Sequence, residues 1–208
     1  MDGVFMKKWC YFLIVISLLA MGTFSVAAAM QQEQKTLADK LVRLHVVANS
    51  DTEEDQSMKL RVRDAVLEVT EPLVQRAKDP RQALASALPE IKSAAEDCLL
   101  ENGSDDSVNV TLSKERFPTR YYDSFALPAG VYPSLRVTIG AGEGKNWWCV
   151  AFPSVCFCAT AEELESAAVS AGFTQDEVRL ITENEDEYIL KFKLWELLGE
   201  LKSRFFDE

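Results

Sequence analysis

Apolar and polar side chains follow a helical period through the first half of the chain. Residues 41–48 are a short apolar run rich in β-branched side chains, which predicts a buried strand. From about residue 51 to residue 77, apolar positions recur at spacings of three and four, which predicts a helix with one apolar face. We expect Ser50 or Asp51 to cap its start. Residues 79–103 carry the start and stop signals of further helix, with a proline inside it.

The period changes to two in the second half of the chain. Residues 108–113 and 135–139 alternate apolar with polar side chains, which predicts half-buried strands. Residues 147–152 predict a third strand, and residues 117–122 an edge strand, where proline is tolerated. The glycine-rich segment 140–145 is then expected to be a flexible hairpin loop that joins two of these strands.

The order of these elements indicates the fold class. Helices are predicted again at residues 161–171 and 188–206, after the group of strands. Strands that follow one another closely favour antiparallel pairing, with the helices gathered on one side. The sequence therefore predicts an α+β fold, with an antiparallel sheet of about four strands, helices packed on one face, and an N-terminal signal or anchor helix in front of it.

The N-terminus has the features of an export signal. Lys7 and Lys8 precede an apolar run, and small residues follow it up to Ala29. A charged start, an apolar middle and an A-x-A-like end are typical of a secretory signal peptide, with cleavage after Ala29. The alternative is an uncleaved membrane anchor over residues 9–29, because a helix of that length spans a bilayer. Either interpretation places the rest of the chain outside the cytoplasm.

Three segments follow from this interpretation. Residues 1–29 are the signal peptide or membrane anchor, residues 30–40 a short polar linker, and residues 41–208 a single exported α+β domain. Membrane contact is expected only through residues 9–29, and only if the signal is not cleaved.

Composition narrows the classes of function. The chain has 208 residues, a formal net charge of −11 and a sequence pI of about 4.7. Nucleic-acid binding and polybasic membrane binding both require clustered Lys and Arg, so neither is expected. The chain contains one His, which excludes mechanisms that need two imidazoles and metal sites built from several His.

The glycine-rich loop and the cysteines each suggest a site, but the loop lacks the spacing of a phosphate-binding loop and the cysteines lack that of a zinc site. Residues 140–145 end in Gly-Lys, but the spacing differs from a phosphate-binding loop and a strand follows instead of a helix. Four cysteines follow the signal segment, and Cys149 can reach Cys156 across a predicted turn, so a disulfide between them is predicted, with free buried thiols as the alternative. A zinc site from three Cys and His45 lacks the usual ligand spacing. We therefore predict no cofactor and no metal.

A candidate partner-binding surface lies where two segments of mixed character are expected to meet. Adjacent tryptophans in a strand point to opposite faces, so one of the pair is expected to leave the core and to serve as a contact anchor. The alternative is that the predicted C-terminal helix covers it. The turn after the first strand adds acids and amides. The predicted partner-binding residues are Asn49, Ser50, Asp51, Asp55, Lys145, Asn146, Trp147 and Trp148. The single histidine, His45, is expected to be half-buried and hydrogen-bonded, with no catalytic role.

Three stretches of the chain carry a resemblance to a known family. Residues 44–51, which run on into 55–66, contain Leu-His-Val-Val-Ala-Asn-Ser-Asp; residues 127–137 begin Leu-Pro-Ala-Gly; and residues 139–153 contain consecutive Lys-Asn-Trp-Trp-Cys. Together they resemble stage II sporulation protein R of endospore-forming bacteria. The last stretch is the most specific, because that run of five residues is rare by chance.

This resemblance implies a signalling role and names a partner. Proteins of this family are made in the forespore and exported into the space between the forespore and mother-cell membranes. There they trigger a membrane-embedded aspartic protease of the mother cell, which processes the precursor of the mother-cell sigma factor, sigma-E. The resemblance thus implies a secreted protein ligand and protease activator, not an enzyme.

Two rival classes remain open. An exported cell-wall hydrolase would need paired carboxylates or a metal site, and a thiol-active enzyme would need an accessible cysteine of low pKa. The sequence shows neither carboxylates nor cysteines at the spacing that either kind of enzyme would be expected to have. A passive structural protein between the two membranes fits the composition equally well.

Overall fold

The computed structural model describes residues 35–122, 125–153 and 160–182, together with residues 11, 14, 17, 18, 21, 22 and 32. The chain divides into two compact units, Met1–Leu37 and Ala38–Glu208. The described positions of the first unit are helical. Among the described residues, no helix combines the length and the apolar character needed to cross a bilayer. The predicted signal segment, residues 1–29, lies largely outside the described residues, so its cleavage and the predicted segment boundaries stay predictions.

After helical residues 38–40, the second unit continues with a strand and three helices. Strand β1, Val42–Val47, is buried at every position. Helix α1, Glu53–Arg76, begins at Thr52, whose side chain accepts a hydrogen bond from the Asp55 amide. The capping residue is thus one or two positions later than expected. Helices α2, Pro80–Ser86, and α3, Leu88–Glu101, follow, and Asp79 caps the first of them.

The remaining described elements are mostly strands. Strands β2, Val108–Phe117, and β5, Gly130–Ile139, are long, and strand β6 covers Asn146–Phe152. The short strands β3, Arg120–Tyr121, and β4, Ala126–Leu127, form a two-stranded sheet of their own. The last two described helices are α4, Ala161–Ser170, and α5, Gln175–Thr182. The helix predicted for residues 188–206 lies outside the described residues.

The main sheet has four strands in the order β2-β5-β1-β6. Pairs β2–β5 and β1–β6 are antiparallel, but β1 and β5 are parallel, with Leu44 opposite Leu135. The prediction of an antiparallel sheet was therefore wrong for the central pair, and the sheet is mixed. The reason is that β1 lies between β5 and β6, and the helices and β2 supply the long crossover that a parallel pair requires.

The same topology corrects the prediction of a hairpin at residues 140–145. Strands β5 and β6 are consecutive in the chain but are not neighbours in the sheet. The segment that joins them must therefore cross the end of β1. This crossover brings it against the residues that follow β1.

Helices α1, α2 and α3 pack against one face of the main sheet. The core contains Leu44 and Val46 of β1, Val137 of β5, and apolar residues of α1 and α3 such as Val66 and Ile91. Because side chains alternate along a strand, the residues between these core positions lie on the opposite face. That second face contains buried polar residues as well as exposed ones, and it carries the candidate site.

Candidate functional site

The segment 140–145 and the end of β1 form one connected structure, here called the crossover junction (residues 48–55 and 140–145). The amides of Glu143 and Gly144 donate to the carbonyl oxygens of Asn49 and Ala48, both at 3.0 Å. The Asn49 side chain accepts a hydrogen bond from the Ala141 amide at 2.9 Å. The two segments that were expected to meet do lie together.

The acidic residues of the crossover junction hold it together from within. Asp51 Oδ1 accepts a hydrogen bond from the Lys145 amide at 2.7 Å. Asp55 Oδ2 accepts from the Ser50 hydroxyl at 2.5 Å and from the Asn49 amide at 3.1 Å. The Ser50 bond is the main cause that lowers the pKa of Asp55, and the Asn49 bond adds to it against the opposing effect of burial. These side chains therefore have a structural use beside any contact with a partner.

A buried lysine and a glycine fix the position of the crossing segment. Lys59 is 5% exposed, and its ammonium donates to Gln56 Oε1 at 2.6 Å and to the carbonyl oxygen of Lys145 at 3.0 Å. Burial lowers the pKa of Lys59. At Gly144 a Cβ atom would overlap the carbonyl group of Ser50. The glycine here permits the close approach of two backbones instead of forming a phosphate cradle.

The two adjacent tryptophans lie on opposite faces of β6, and each is half-buried. Trp147 packs against the core on the helix side, beneath the guanidinium of Arg63 at 4.5 Å. Trp148 lies on the other face, stacked on the His45 ring with 3.8 Å between centroids. Phe117 meets the edge of the Trp148 ring system at 4.8 Å. Trp148 is therefore the member of the pair that leaves the core.

Trp148 belongs to a polar cluster, here called the polar sheet face, which spans all four strands of the main sheet. His45 of β1 contacts Glu115 of β2 through Nδ1 at 3.0 Å and Asn146 Oδ1 of β6 through Nε2 at 2.7 Å. Glu115 also accepts from the Ser134 hydroxyl at 2.8 Å and from Arg136 at 3.1 Å. The polar sheet face consists of His45, Glu115, Ser134, Arg136, Asn146 and Trp148.

The charge of Glu115 is held by its neighbours. Burial alone raises the pKa of this carboxyl group, but hydrogen bonds from Ser134, His45 and Arg136 outweigh it and leave the pKa below its ordinary value. An ionised carboxylate with three donors is a rigid support. It fixes the His45 ring, and the ring in turn supports Trp148.

The sequence missed three members of this cluster. Glu115 and Ser134 lie just outside the strand ranges predicted from the sequence, and Ser134 is fully buried in the structure. Arg136 alternates with the core residues of its strand, as an ordinary surface residue does. Only the strand order shows that these three residues share a face with His45. If the sequence had shown which strand is central, these three residues could have been grouped with His45 on one face.

The cysteines are divided between described and other residues. Cys149 is disulfide-bonded. Cys156, the partner predicted for it, lies outside the described residues, so the Cys149–Cys156 pairing stays a prediction. Cys98 is a free, half-buried thiol, and burial raises its pKa. In the described part of the chain, no three metal-ligating side chains gather in one place.

Comparison with known proteins supplies the family. A family profile described as stage II sporulation protein R matches residues 38–162. Stage II sporulation protein R of Bacillus subtilis (strain 168) is 37% identical over 161 residues, which covers 73% of this chain and 72% of its own length. No solved structure matches the chain. The matched range contains the crossover junction and the whole polar sheet face, and the chain belongs to the stage II sporulation protein R family.

Proposed function

We propose that this chain is an exported signalling ligand that acts between forespore and mother cell during sporulation. In this proposal it is secreted into the space between the two membranes and activates a membrane-embedded aspartic protease of the mother cell. The protease then processes the sigma-E precursor. Membership of the family supports the sporulation role, and the charged, apolar and small-residue order of the N-terminus supports export.

The polar sheet face is the observation that carries the proposal. Tryptophan and arginine are the residues most enriched at the energetic centres of protein interfaces. Trp148 stands half-buried on a ring that Glu115 and Asn146 hold in place. A contact residue that is already fixed loses little conformational freedom when a partner binds. This arrangement suits recognition of a protein surface.

The crossover junction completes the proposed contact surface. Its internal hydrogen bonds fix the segment from which Lys145 and Asn146 project, and both of these residues are exposed. Asn146 also contacts His45, so the crossover junction and the polar sheet face are continuous. Asn49, Ser50, Asp51 and Asp55 contribute in this proposal by holding that shape.

Co-expression of this chain with the protease and the sigma-E precursor tests the proposal. We expect the precursor to be cleaved only when the chain is present. Lys145→Glu should reduce cleavage about tenfold or more, whereas Lys92→Glu, an exposed lysine on helix α3, should leave it unchanged. Equal cleavage with and without the chain would contradict the proposed function.

The structure gives one reason to consider an enzyme and three reasons against it. The hydrogen bond between His45 and Glu115 is the geometry of a general base with its orienting carboxylate. However, Asn146 occupies the other ring nitrogen, and His45 is only 5% exposed. In the described part of the chain, the His45 ring nitrogens contact Glu115 and Asn146, and Ser134 donates to Glu115, so Ser134 is not placed as a nucleophile for this pair.

A substitution of His45 distinguishes a signalling ligand from an enzyme. Glutamine can both donate and accept hydrogen bonds, so we expect His45→Gln to lower precursor cleavage by a few-fold at most. Removal of a general base typically lowers a rate by about 10²–10⁴-fold. A loss of that size in a folded His45→Gln protein would support the enzymatic alternative.

A further inference from the structure

Two arginines beside the polar sheet face carry hydrogen-bond donors that have no partner among the described residues. Arg43 of β1 is fully buried; its Nε donates to the carbonyl oxygen of Cys149 and its Nη2 to the Tyr122 hydroxyl, each at 2.9 Å. In the same described part of the chain, its Nη1 has no hydrogen-bond partner. Arg120 of β3 is half-buried, and its Nε is buried, likewise without a described partner. These two residues are here called the arginine pair.

Aromatic rings surround the arginine pair. The Arg43 guanidinium lies 4.4 Å from the centroid of Phe117 and 5.2 Å from that of Tyr132. The Arg120 guanidinium lies 5.6 Å from the Trp148 ring. Burial lowers the pKa of Arg43, and the charge of Arg120 acts in the same direction. The two cations therefore lie close enough to repel each other.

Within the described part of the chain, no carboxylate forms an ion pair with either arginine. Glu115 is the acid of the polar sheet face, and its oxygens are already shared among Ser134, His45 and Arg136. A buried cation without an anion destabilises a fold, and an apolar side chain of similar volume often serves the fold better. Arg43 is therefore expected to destabilise the free protein, and the stability of the fold gives no reason for its presence.

We propose that the arginine pair binds the carboxylate of an Asp or Glu side chain supplied by the protein partner. This inference rests on the proposed function and names the chemistry of its contact. Guanidinium groups bind carboxylates through paired, charge-assisted hydrogen bonds, which the free donors of Arg43 and Arg120 are able to supply. Arg120 meets the incoming carboxylate first because it reaches the surface, while Arg43 supplies donors from beneath.

The net charge of the whole chain restricts how many acidic residues a partner segment can present to the arginine pair. With a formal net charge of −11, the protein repels a long acidic stretch. A single acidic side chain presented among apolar and polar neighbours avoids that repulsion and still meets the two local cations. The partner segment is therefore expected to insert one acid next to Trp148.

Titration of the full chain with sodium acetate tests the site without any partner. The side-chain Nε–H signals of the arginines are followed by NMR, and a parallel titration with sodium chloride at equal ionic strength is the control. We expect acetate to cause saturable shifts of the Arg120 and Arg43 signals. Arg116, an exposed arginine of β2, should shift no more in acetate than it does in chloride. Shifts of Arg120 no larger than those of Arg116 would overturn the proposal.

Substitutions then test the contact with the protease. Arg43→Met should keep or raise the melting temperature and weaken binding at least about tenfold. Arg120→Gln should weaken binding to a similar degree, and Arg116→Gln should not. If Arg43→Met does not fold, Arg120→Gln decides the question, because its side chain is partly exposed. Full binding by folded Arg43→Met or Arg120→Gln would contradict the proposal.

The two experiments separate this inference from the proposed function. Acetate shifts without any cleavage of the precursor would support the carboxylate site and contradict the signalling role. Cleavage that depends on the chain, without acetate shifts, would support the signalling role and contradict the carboxylate site.

Discussion

Asn49 joins the end of β1, the start of α1 and the crossing segment through one side chain. Its amide accepts from the Ala141 backbone and donates to Asp55. Because each hydrogen bond contributes about 0.5–1.5 kcal/mol net, we expect Asn49→Ala to lower the free energy of unfolding by about 1–2 kcal/mol. Chemical denaturation measures this change. Asn109→Ala, at an exposed position of β2, is the control and should change stability little; equal effects would refute the role of Asn49.

Glu115 makes the stability of the polar sheet face depend on pH. Its pKa is lower in the folded protein than its ordinary value, so its contribution is complete above the unfolded pKa and is lost as the pH falls through the folded pKa. We therefore expect the folded protein to lose stability on acidification below about pH 4–5. Glu115→Gln should be less stable at neutral pH and should lose less stability across that range. Parallel pH profiles for the two proteins would contradict this account.

For individual residues, the sequence predicted the opposite orientations of Trp147 and Trp148 from the alternation of side chains along a strand. It did not predict the contact of His45 with Glu115, which are 70 positions apart. A contact of that kind depends on strand order, and local periodicity carries no information about it. The sequence therefore predicted that one of the two tryptophans leaves the core, but neither which one nor the residues that support it.

Helix α1 is the element whose start shapes the crossover junction. Thr52 caps it, and Thr160 caps α4 in the same way, each by accepting a backbone amide three residues on. Loss of such a cap costs about 0.5–2 kcal/mol. We expect Thr52→Ala and Thr160→Ala to lower the melting temperature to a similar degree, and Thr52→Ser to restore most of the loss. A Thr52→Ala protein as stable as the wild type would disprove the cap.

Helix α1 also contains an exposed proline, Pro72, in its last turns before Arg76. Proline inside a helix removes a backbone hydrogen bond and is disfavoured relative to alanine by up to about 3 kcal/mol. We expect Pro72→Ala to raise the free energy of unfolding, measured by denaturant titration. Because the position is exposed, the smaller alanine side chain leaves no cavity in the core. A fall in stability would therefore contradict the expectation.

The strand pairing shows where element-level prediction failed. The sequence predicted helices α1 to α4 and the four strands of the main sheet, because each depends on local periodicity, but it did not predict helix α5. The parallel pairing of β1 with β5 was missed. The available signal was β1 itself, since a run of mostly apolar, β-branched residues that is short and uninterrupted by turn residues is typical of a central strand with both faces buried.

The whole molecule is acidic, yet one face of its sheet concentrates aromatic and positively charged side chains. The overall charge of −11 keeps the protein away from anionic polymers. The polar sheet face and the arginine pair are local exceptions to that charge. This contrast favours recognition of a specific protein surface, and the central claim is that Trp148 anchors it.

Direct binding of the purified full chain to its proposed partner, the purified mother-cell protease in lipid nanodiscs, tests this claim most directly. We expect Trp148→Ala, folded by circular dichroism, to weaken binding about thirtyfold, which corresponds to about 2 kcal/mol for a lost anchor. Leu100→Ala, which removes a side chain 63% exposed on helix α3, should bind as the wild type does. A folded Trp148→Ala protein that binds as tightly as the wild type would contradict the central claim.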